Sequence, residues 1–170
     1  AKIVMKTCDV ENLKIKNTGG NVLLYNVFGS NLDYESNSQN NILEDLMFEQ
    51  TNFTSNKAGT ITITRLATRI NAKFTTNVSG NIIVSRIKSK KITVNNESGN
   101  IIFNYINQND VTNEKDNEET INIKQKYNNF TVGDTTLEGV SYGPLYINRS
   151  ILNNVNLEQY KTSLQISDSS

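Results

Sequence analysis

The sequence has no histidine and no tryptophan, and it contains one cysteine and one proline. Without histidine the chain lacks the commonest general base, the Ser-His and Cys-His nucleophile pairs, and the commonest zinc ligand. With Cys8 alone it cannot form an intrachain disulfide. These absences argue against an enzyme, and no cofactor or metal site is predicted.

Neither a charge of one sign nor a long hydrophobic run dominates the chain. Lys plus Arg and Asp plus Glu number 17 each, so the formal net charge is zero. This balance removes the overall positive field expected of a general nucleic-acid or anionic-membrane binder. No apolar run approaches the ~18 residues of a membrane helix. We therefore expect neither nucleic-acid binding nor a membrane span, and the sequence does not indicate a compartment.

The residues that are present favour strands. The apolar fraction is 36% and the aromatic fraction 8%, so the core must come mainly from Ile, Val and Leu. The β-branched members of this set are enriched in strands. A chain of 170 residues is the size of one domain and buries about two thirds of its unfolded surface. We expect one all-β domain over residues 1–170.

A hydrophobic template repeats about every 19 residues. Its positions are i, i+2, i+5, i+10 and i+12, and it is clearest between Gly80 and Ser98. There it falls on Ile82, Val84, Ile87, Ile92 and Val94. Near the N-terminus it falls on Ile3, Met5, Cys8, Leu13 and Ile15, and then on Val22, Leu24, Val27, Leu32 and Tyr34. Cys8 is therefore interpreted as a small core residue.

Later turns follow the template less closely. The next two fall on Asn41, Leu43, Leu46, Thr51 and Phe53, and on Ile61, Ile63, Leu66, Ala72 and Phe74. The turn after Gly99 has Ile101, Phe103 and Ile106, then an insertion, then a second half at Ile121 and Ile123. The pattern continues through Phe130, Val132, Val140 and Tyr142, slips at Gly143-Pro144, and resumes as Leu145, Ile147, Val155, Leu157, Leu164 and Ile166.

This repeat predicts a single-stranded parallel β-helix, or β-solenoid, of about eight short coils. Alternate strand residues share a face, so each i, i+2 pair is the inward side of a short strand. Two pairs per turn predict two strands and two corners, with Ile83, Arg86, Lys90 and Thr93 pointing outward. No segment sustains the i, i+3, i+4, i+7 pattern of a helix. An antiparallel meander is the alternative, but it needs no fixed repeat of side-chain identity.

Glycines recur at one corner of the repeat, immediately before the first strand of a turn. Glycine tolerates positive φ and allows close approach of neighbouring backbones, so we interpret these residues as structural. The corner glycines are Gly20, Gly59, Gly80 and Gly99. Their spacing matches no phosphate-binding loop.

Two of these corners resemble a known family. Ser79-Gly80-Asn81-Ile82 and Ser98-Gly99-Asn100-Ile101 are similar to the Ser-Gly-Asn-Ile turns of the adhesin-like β-helix domains of unknown function. The resemblance covers roughly residues 1–106 well and the remainder loosely. It implies a parallel β-helix fold, and it brings no residue with a catalytic role.

A set of basic residues forms a candidate interaction stripe. Arg65 and Arg86 both occupy position i+4, so they should stack at about 4.8 Å along the solenoid. The full stripe is Arg65, Arg69, Lys73, Arg86, Lys88, Lys90 and Lys91. It predicts either an acidic partner or cations that only keep the face soluble and resist edge pairing. No base-stacking aromatic residues accompany it, which disfavours single-stranded nucleic acid.

Acidic residues cluster in the insertion, and we expect a solvated, mobile loop at about 107–119. This composition is typical of such loops, and it lacks the glycine and spacing of an EF-hand, so calcium binding is disfavoured. The cluster comprises Asp110, Glu114, Asp116, Glu118 and Glu119.

The ends of a solenoid need a cap, a covering element or a partner, because they expose strand edges and a section of core. The template begins at Ile3, which leaves no room for a cap. We therefore expect the first turn, Ile3 to Ile15, to pair its free edge with a protein partner or another subunit. Overall the sequence favours a non-catalytic structural or protein-interaction module. The alternatives are an extracellular adhesin-like domain that binds glycan or protein and, less favoured because its carboxylates are scattered, a polysaccharide-acting enzyme.

Overall fold

The computed structural model describes residues 2–57, 59–106, 135–152, 154–160, 164–167 and 169. Within these ranges the regular structure is entirely β. The strands are β1 (Lys2–Asn17), β2 (Asn21–Ser36), β3 (Asn41–Asn56), β4 (Thr60–Asn77), β5 (Asn81–Ser89), β6 (Lys91–Asn96), β7 (Asn100–Asn104), β8 (Thr136–Ser141), β9 (Leu145–Asn148), β10 (Asn154–Gln159) and β11 (Leu164–Ser167).

The strands form a parallel β-solenoid of about seven turns. Residues 19 positions apart pair from β1 to β2, as Ile3 does with Val22. The same register joins Ile82 of β5 to Ile101 of β7. β11 begins an eighth turn. The parallel pairing confirms the predicted stack and excludes the antiparallel meander.

The predicted facing of the fifth turn is confirmed. Ile82, Val84, Ile87, Ile92 and Val94 are all buried in one core cluster. Their outward neighbours Ile83, Arg86 and Thr93 are half-buried and Lys90 is exposed. In the first turn Cys8 is half-buried and packs against the core, as its template position predicts.

Each regular turn has three sides rather than the two strands expected from the template. Buried and outward residues alternate along β2 until Asn26 and Val27, which are buried in succession. The chain bends there because position i+4 takes positive φ, as it also does at Thr7, Asp45, Tyr105 and Arg149. A second break in the alternation lies between the buried residues at i+7 and i+10. The corner between successive turns is the third break, so each turn has three sides. We call i to i+2 the first side, i+5 to i+7 the second side, and i+10 to i+14 the third side.

The third side carries a column of buried polar residues that the apolar template did not reveal. Position i+14 is occupied by Asn17, Ser36, Ser55, Thr76, Asn96 and Ser141, all buried. Their hydrogen bonds run along the stack or into the adjacent corner. For example, Asn96 Nδ2 donates to Ser141 Oγ at 3.1 Å, and Ser55 Oγ donates to Gly59 O at 2.8 Å.

Asn41 is the centre of the largest of these polar groups. It takes template position i, where other turns have Ile, Val or Leu, and it is buried. Its Oδ1 accepts from Tyr34 OH at 2.5 Å, Asn17 Nδ2 at 2.9 Å and Ser36 Oγ at 3.0 Å. Its Nδ2 donates to the carbonyls of Ser38 and Thr60. Burial raises the pKa of the Tyr34 phenol well above its ordinary value.

The second half of the sixth turn differs from the sequence prediction. β8 pairs in parallel with β6, so Leu137 lies opposite Ile92 and Gly139 opposite Val94. Leu137 is fully buried, and this place in the stack is therefore not available to Ile121 and Ile123. Those two residues lie outside the described residues, as do Phe130, Val132, the predicted loop 107–119 and its acidic cluster.

The last turns follow the predicted slip. Leu145 and Ile147 are buried, which confirms the register after Gly143-Pro144. The inward placement of Val140 and Tyr142 is wrong, since Val140 is half-buried and Tyr142 is 47% exposed. Val155, Leu164 and Ile166 continue the inward columns through parallel pairing but remain 39–48% exposed.

The corner glycines are structural for two different reasons. Gly20 has φ of 113°, which is the conformational freedom that the sequence suggested. Gly59, Gly80 and Gly99 do not have positive φ. They are needed because backbones approach closely, most tightly at Gly99, where a Cβ would lie 1.6 Å from the carbonyl oxygen of Gly80.

Candidate interaction surfaces

The basic stripe lies on two neighbouring turns and wraps around the second side. Arg65 and Arg86 pair across β4 and β5, so the predicted stacking register is confirmed. Lys88 points outward from the second side, Arg69, Lys90 and Lys91 lie at the corner that follows it, and Lys73 lies on the third side. The seven cations therefore form a broad band and not a single row.

Much of this band is neutralised within the chain. The Arg65 guanidinium contacts Asp45 and lies 2.9 Å from Glu44 Oε1, both on the preceding turn. Arg69 lies 3.0 Å from Glu49, and Lys91 lies 2.7 Å from Glu138 on the following turn. The Arg69 and Lys91 pairs are exposed, and exposed pairs contribute about 0–1 kcal/mol each. These pairs neutralise positive charge that would otherwise attract an acidic partner.

The described part of the chain contains no group of three or more Cys, Asp or Glu residues placed to hold a metal ion. Within the same residues, no helix is long and apolar enough to cross a membrane. The Cys8 thiol donates to Lys6 O at 3.2 Å.

The outer surface of the first side has a different character. Position i+1 points outward, and parallel pairing stacks it into one column along the solenoid. From the second to the seventh turn the column reads Leu23, Ile42, Thr62, Ile83, Ile102 and Tyr146. Ile42 is 53% exposed, although it is an aliphatic residue with no polar group to hydrate. Five of the six column residues are thus apolar or aromatic and point outward; Ile42 is exposed, and Leu23, Ile83, Ile102 and Tyr146 are half-buried.

Polar, mostly uncharged residues flank this column on both edges. The flanking positions hold Asn21, Asn40, Thr60, Asn81, Asn100 and Pro144 on one edge, and Tyr25, Glu44, Thr64, Ser85, Asn104 and Asn148 on the other. Asn100 Nδ2 donates to Asn81 Oδ1 at 2.9 Å, and Asn148 Nδ2 donates to Asn104 Oδ1 at 2.9 Å. Glu44, the one charged residue among these eighteen, pairs with Arg65. The column continues into the first turn as Val4, which is 43% exposed, and there the flanking residues are the exposed Lys2 and Lys6. We call the column and its two edges in the second to seventh turns the neutral face.

The third side is the natural comparison, because it belongs to the same turns. Between the first and second turns its outward positions carry ion pairs, Lys14 to Asp33 at 3.3 Å and Lys16 to Glu35 at 3.2 Å, whereas in the third and fifth turns the same positions hold neutral polar residues. The second side carries the basic band. The neutral face was missed in the sequence because neighbours in its column are 19 to 44 positions apart along the chain, so no local segment looks hydrophobic.

Among strands β1 to β8, β1 in the first turn is the least buried. Ile3 is 37% exposed, whereas Val22, its partner at the same template position in β2, is 2% exposed. Among the described strands β1 pairs with β2 alone, so its other edge has no strand neighbour.

No family model, curated protein or solved structure matches the chain.

Proposed function

We propose that the chain is a non-catalytic structural or protein-interaction module that presents its neutral face to protein. The observation that carries this proposal is the outward column of Leu23, Ile42, Ile83, Ile102 and Tyr146, held in register by parallel pairing. Exposed apolar patches rimmed by polar residues are typical of protein interaction sites. Parallel sheets are also usually covered on both faces, and the core covers only the inner one.

The shape of the surface supports the same function. Six turns at about 4.8 Å each, and about 3.3 Å for each residue step across the strands, give a face of roughly 29 Å by 13 Å. Every element of the face is fixed by the hydrogen bonds of the stack, so binding would require little ordering of loops. A preorganised surface retains more of its contact energy on binding than a surface that must first be ordered.

A second contact is proposed at the outer edge of β1. An unpaired edge in a parallel stack offers a row of backbone donors and acceptors, and Ile3 adds exposed apolar area beside it. We propose that this edge is continued by another strand, either from the same polypeptide or from a second chain. The ion pairs of the basic band favour a role in solubility and in linking turns, and we propose no acidic partner there.

A photo-reactive amino acid placed on the neutral face tests the proposed function. The benzoylphenylalanine variant at Ile83 should form protein adducts when it is irradiated in cells of the source organism. The matched control carries the same amino acid at Asn95, which is exposed on the third side of the same turn. Adducts at 83 but not at 95 are expected. Equal labelling at both positions, or no protein adduct at 83, would overturn the proposal.

A further inference from the structure

We infer that Tyr142 and Tyr160 form an oxidative cross-linking site, at which one-electron oxidation joins the two side chains as an intrachain dityrosine. The inference goes beyond the proposed function and does not depend on the neutral face. Three observations carry it: the position of the two residues in the stack, the geometry of their rings, and a proton acceptor beside one of them.

The two tyrosines occupy the same corner of consecutive turns. Each directly follows the last residue of a third-side strand, because Ser141 of β8 pairs with Gln159 of β10. The Tyr160 backbone N–H donates to Ser141 O at 2.9 Å, which fixes one corner above the other. The aromatic pair is a feature of these two corners and not of the repeat. In the first five turns this position holds non-aromatic polar residues, namely Thr18, Asn37, Asn56, Asn77 and Glu97.

The two rings are close together and accessible. They are stacked, with centroids 4.9 Å apart and planes 18° from parallel. Rings stacked at this separation are in van der Waals contact. Tyr142 is 47% exposed and Tyr160 is 43% exposed, so an oxidant in solution reaches both phenols. Radicals formed on both rings therefore meet after a small rotation of the side chains, without movement of the backbone.

Glu158 is placed to accept the proton that an oxidised phenol releases. The Tyr160 hydroxyl donates to Glu158 Oε2 at 2.9 Å, which is within the reach of a proton-transfer partner. This hydrogen bond raises the pKa of the Tyr160 phenol above its ordinary value. The phenol is therefore protonated at neutral pH, and it has to release its proton when it loses an electron.

The coupling reaction has a defined balance of atoms and electrons. Each phenol gives one electron to an oxidant of the peroxidase class, and one proton to a base, which is Glu158 for Tyr160 and water for Tyr142. The two phenoxyl radicals form a carbon–carbon bond between ring carbons ortho to the oxygens. The hydrogen on each of these carbons then moves to the oxygen and restores the phenol. The pair loses two hydrogen atoms in all, and one hydrogen peroxide is reduced to two waters.

The cross-link would fasten β10 to the rest of the stack. β10 pairs with β8, and Val155 on its inward side remains 48% exposed. A covalent link between positions 142 and 160 closes a short loop and reduces the entropy of the unfolded chain, as a disulfide does. The oxidised chain should therefore unfold at a higher urea concentration than the untreated chain.

Oxidation of the purified chain with a peroxidase and hydrogen peroxide tests the inference. In dilute solution the 19.1 kDa monomer should lose the mass of two hydrogen atoms. Trypsin cleaves after Arg149 and so separates the two tyrosines. Mass spectrometry of the digest should find peptides 127–149 and 150–161 joined through Tyr142 and Tyr160.

Phenylalanine variants keep each ring and remove one phenol. Tyr142→Phe and Tyr160→Phe should each abolish the intrachain product, whereas the control Tyr105→Phe, on a different corner, should retain it. An unchanged yield in Tyr160→Phe, a link from Tyr146 to Tyr160, or dityrosine found only between chains would overturn the inference. Glu158→Gln should slow the coupling at neutral pH, and an equal initial rate would reject Glu158 as the proton acceptor.

Discussion

Ile92 and Thr93 are consecutive residues of β6 that point in opposite directions. Ile92 is fully buried, whereas Thr93 is half-buried and donates to Asn71 Oδ1 at 3.2 Å on the outer surface. Truncating a buried isoleucine removes apolar burial and leaves a cavity. Ile92→Ala should therefore lower the free energy of unfolding by about 2 to 5 kcal/mol in denaturant melts. Thr93→Ala should cost less than about 1 kcal/mol. A loss below about 0.5 kcal/mol for Ile92→Ala would contradict its inward placement.

At Asn41 the sequence template and the structure predict opposite effects of a substitution on stability. The template favours an aliphatic residue at this position, so Asn41→Ile would be expected to stabilise the turn. In the structure the substitution removes the acceptor used by Tyr34, Ser36 and Asn17. Because buried donors without partners cost about 1–3 kcal/mol each, we expect Asn41→Ile to destabilise by at least about 2 kcal/mol. The control is Asn40→Ala at an exposed neighbour, and a gain in stability for Asn41→Ile would contradict the account.

Tyr34 should make stability fall at high pH. Its pKa is raised in the folded chain by burial, while an unfolded tyrosine titrates near about 10. The protonated phenol is therefore favoured by folding, and its contribution is complete below about pH 10 and lost as the pH rises beyond that value. Tyr34→Phe should show a shallower decline than the wild type in denaturant melts above about pH 10. Parallel declines would contradict the raised pKa.

The inward positions were predictable from sequence because aliphatic residues mark them directly. Leu24, Leu43, Ile63 and Val84 share one column, and spacings of 19 to 21 residues bring them together. Positions i+7 and i+14 were not predictable in the same way. Most hold small or polar residues such as Gly29, Ser89 and Ser36, whose burial depends on hydrogen bonds and backbone spacing that a hydrophobic pattern does not report. Phe48, also at i+7, is large and fully buried, so the residues at this position share no hydrophobic character that repeats from turn to turn.

At the scale of the element, the missed i+7 position explains the error in the number of sides. Without it the second side appeared as a single residue, Val27 or Ile87, and it was interpreted as a corner. The positive φ at i+4 was equally hidden, since it falls on residues as different as Thr7, Asp45 and Arg149. Arg65 and Arg86, at i+4 of the fourth and fifth turns, do not take positive φ, so neither residue type nor position alone marks the bend.

The chain between Ile106 and Thr135 can be tested as an element. Ile106 pairs with Ile87, and Thr136 pairs with Lys91. In the preceding turn only three residues, Lys88, Ser89 and Lys90, connect the two paired positions. Replacing residues 107–134 with the dipeptide Lys-Ser should restore a regular turn. We expect a folded protein with unchanged circular dichroism and a stability equal to or up to about 2 kcal/mol above wild type, because a shorter loop costs less closure entropy. Unfolding of the variant would show that the replaced residues contribute to the core.

At the scale of the whole molecule, the strand register brings residues that are far apart in sequence together on one surface. Ile42, Ile83 and Ile102 are far apart in sequence, and parallel pairing places them in one column. The basic residues were recognised because Arg65 and Arg86 occupy the same position in consecutive turns, but the carboxylates that pair with Arg65 and Lys91 lie on other turns. The sequence was sufficient to predict the stack of turns. The residues that share an outward surface could be identified only from the structure.

The proposed function rests on the register around Ile83, and cross-strand nuclear Overhauser effects measure that register most directly. The account predicts contacts from Ile83 to Thr62 on one side and to Ile102 on the other, in the pattern of parallel strands. Strong Hα–Hα contacts between opposed residues belong to antiparallel pairs, whose Cα atoms approach to about 4.5 Å. Finding those contacts at Ile83, or finding it paired with residues other than Thr62 and Ile102, would contradict the solenoid and the neutral face together.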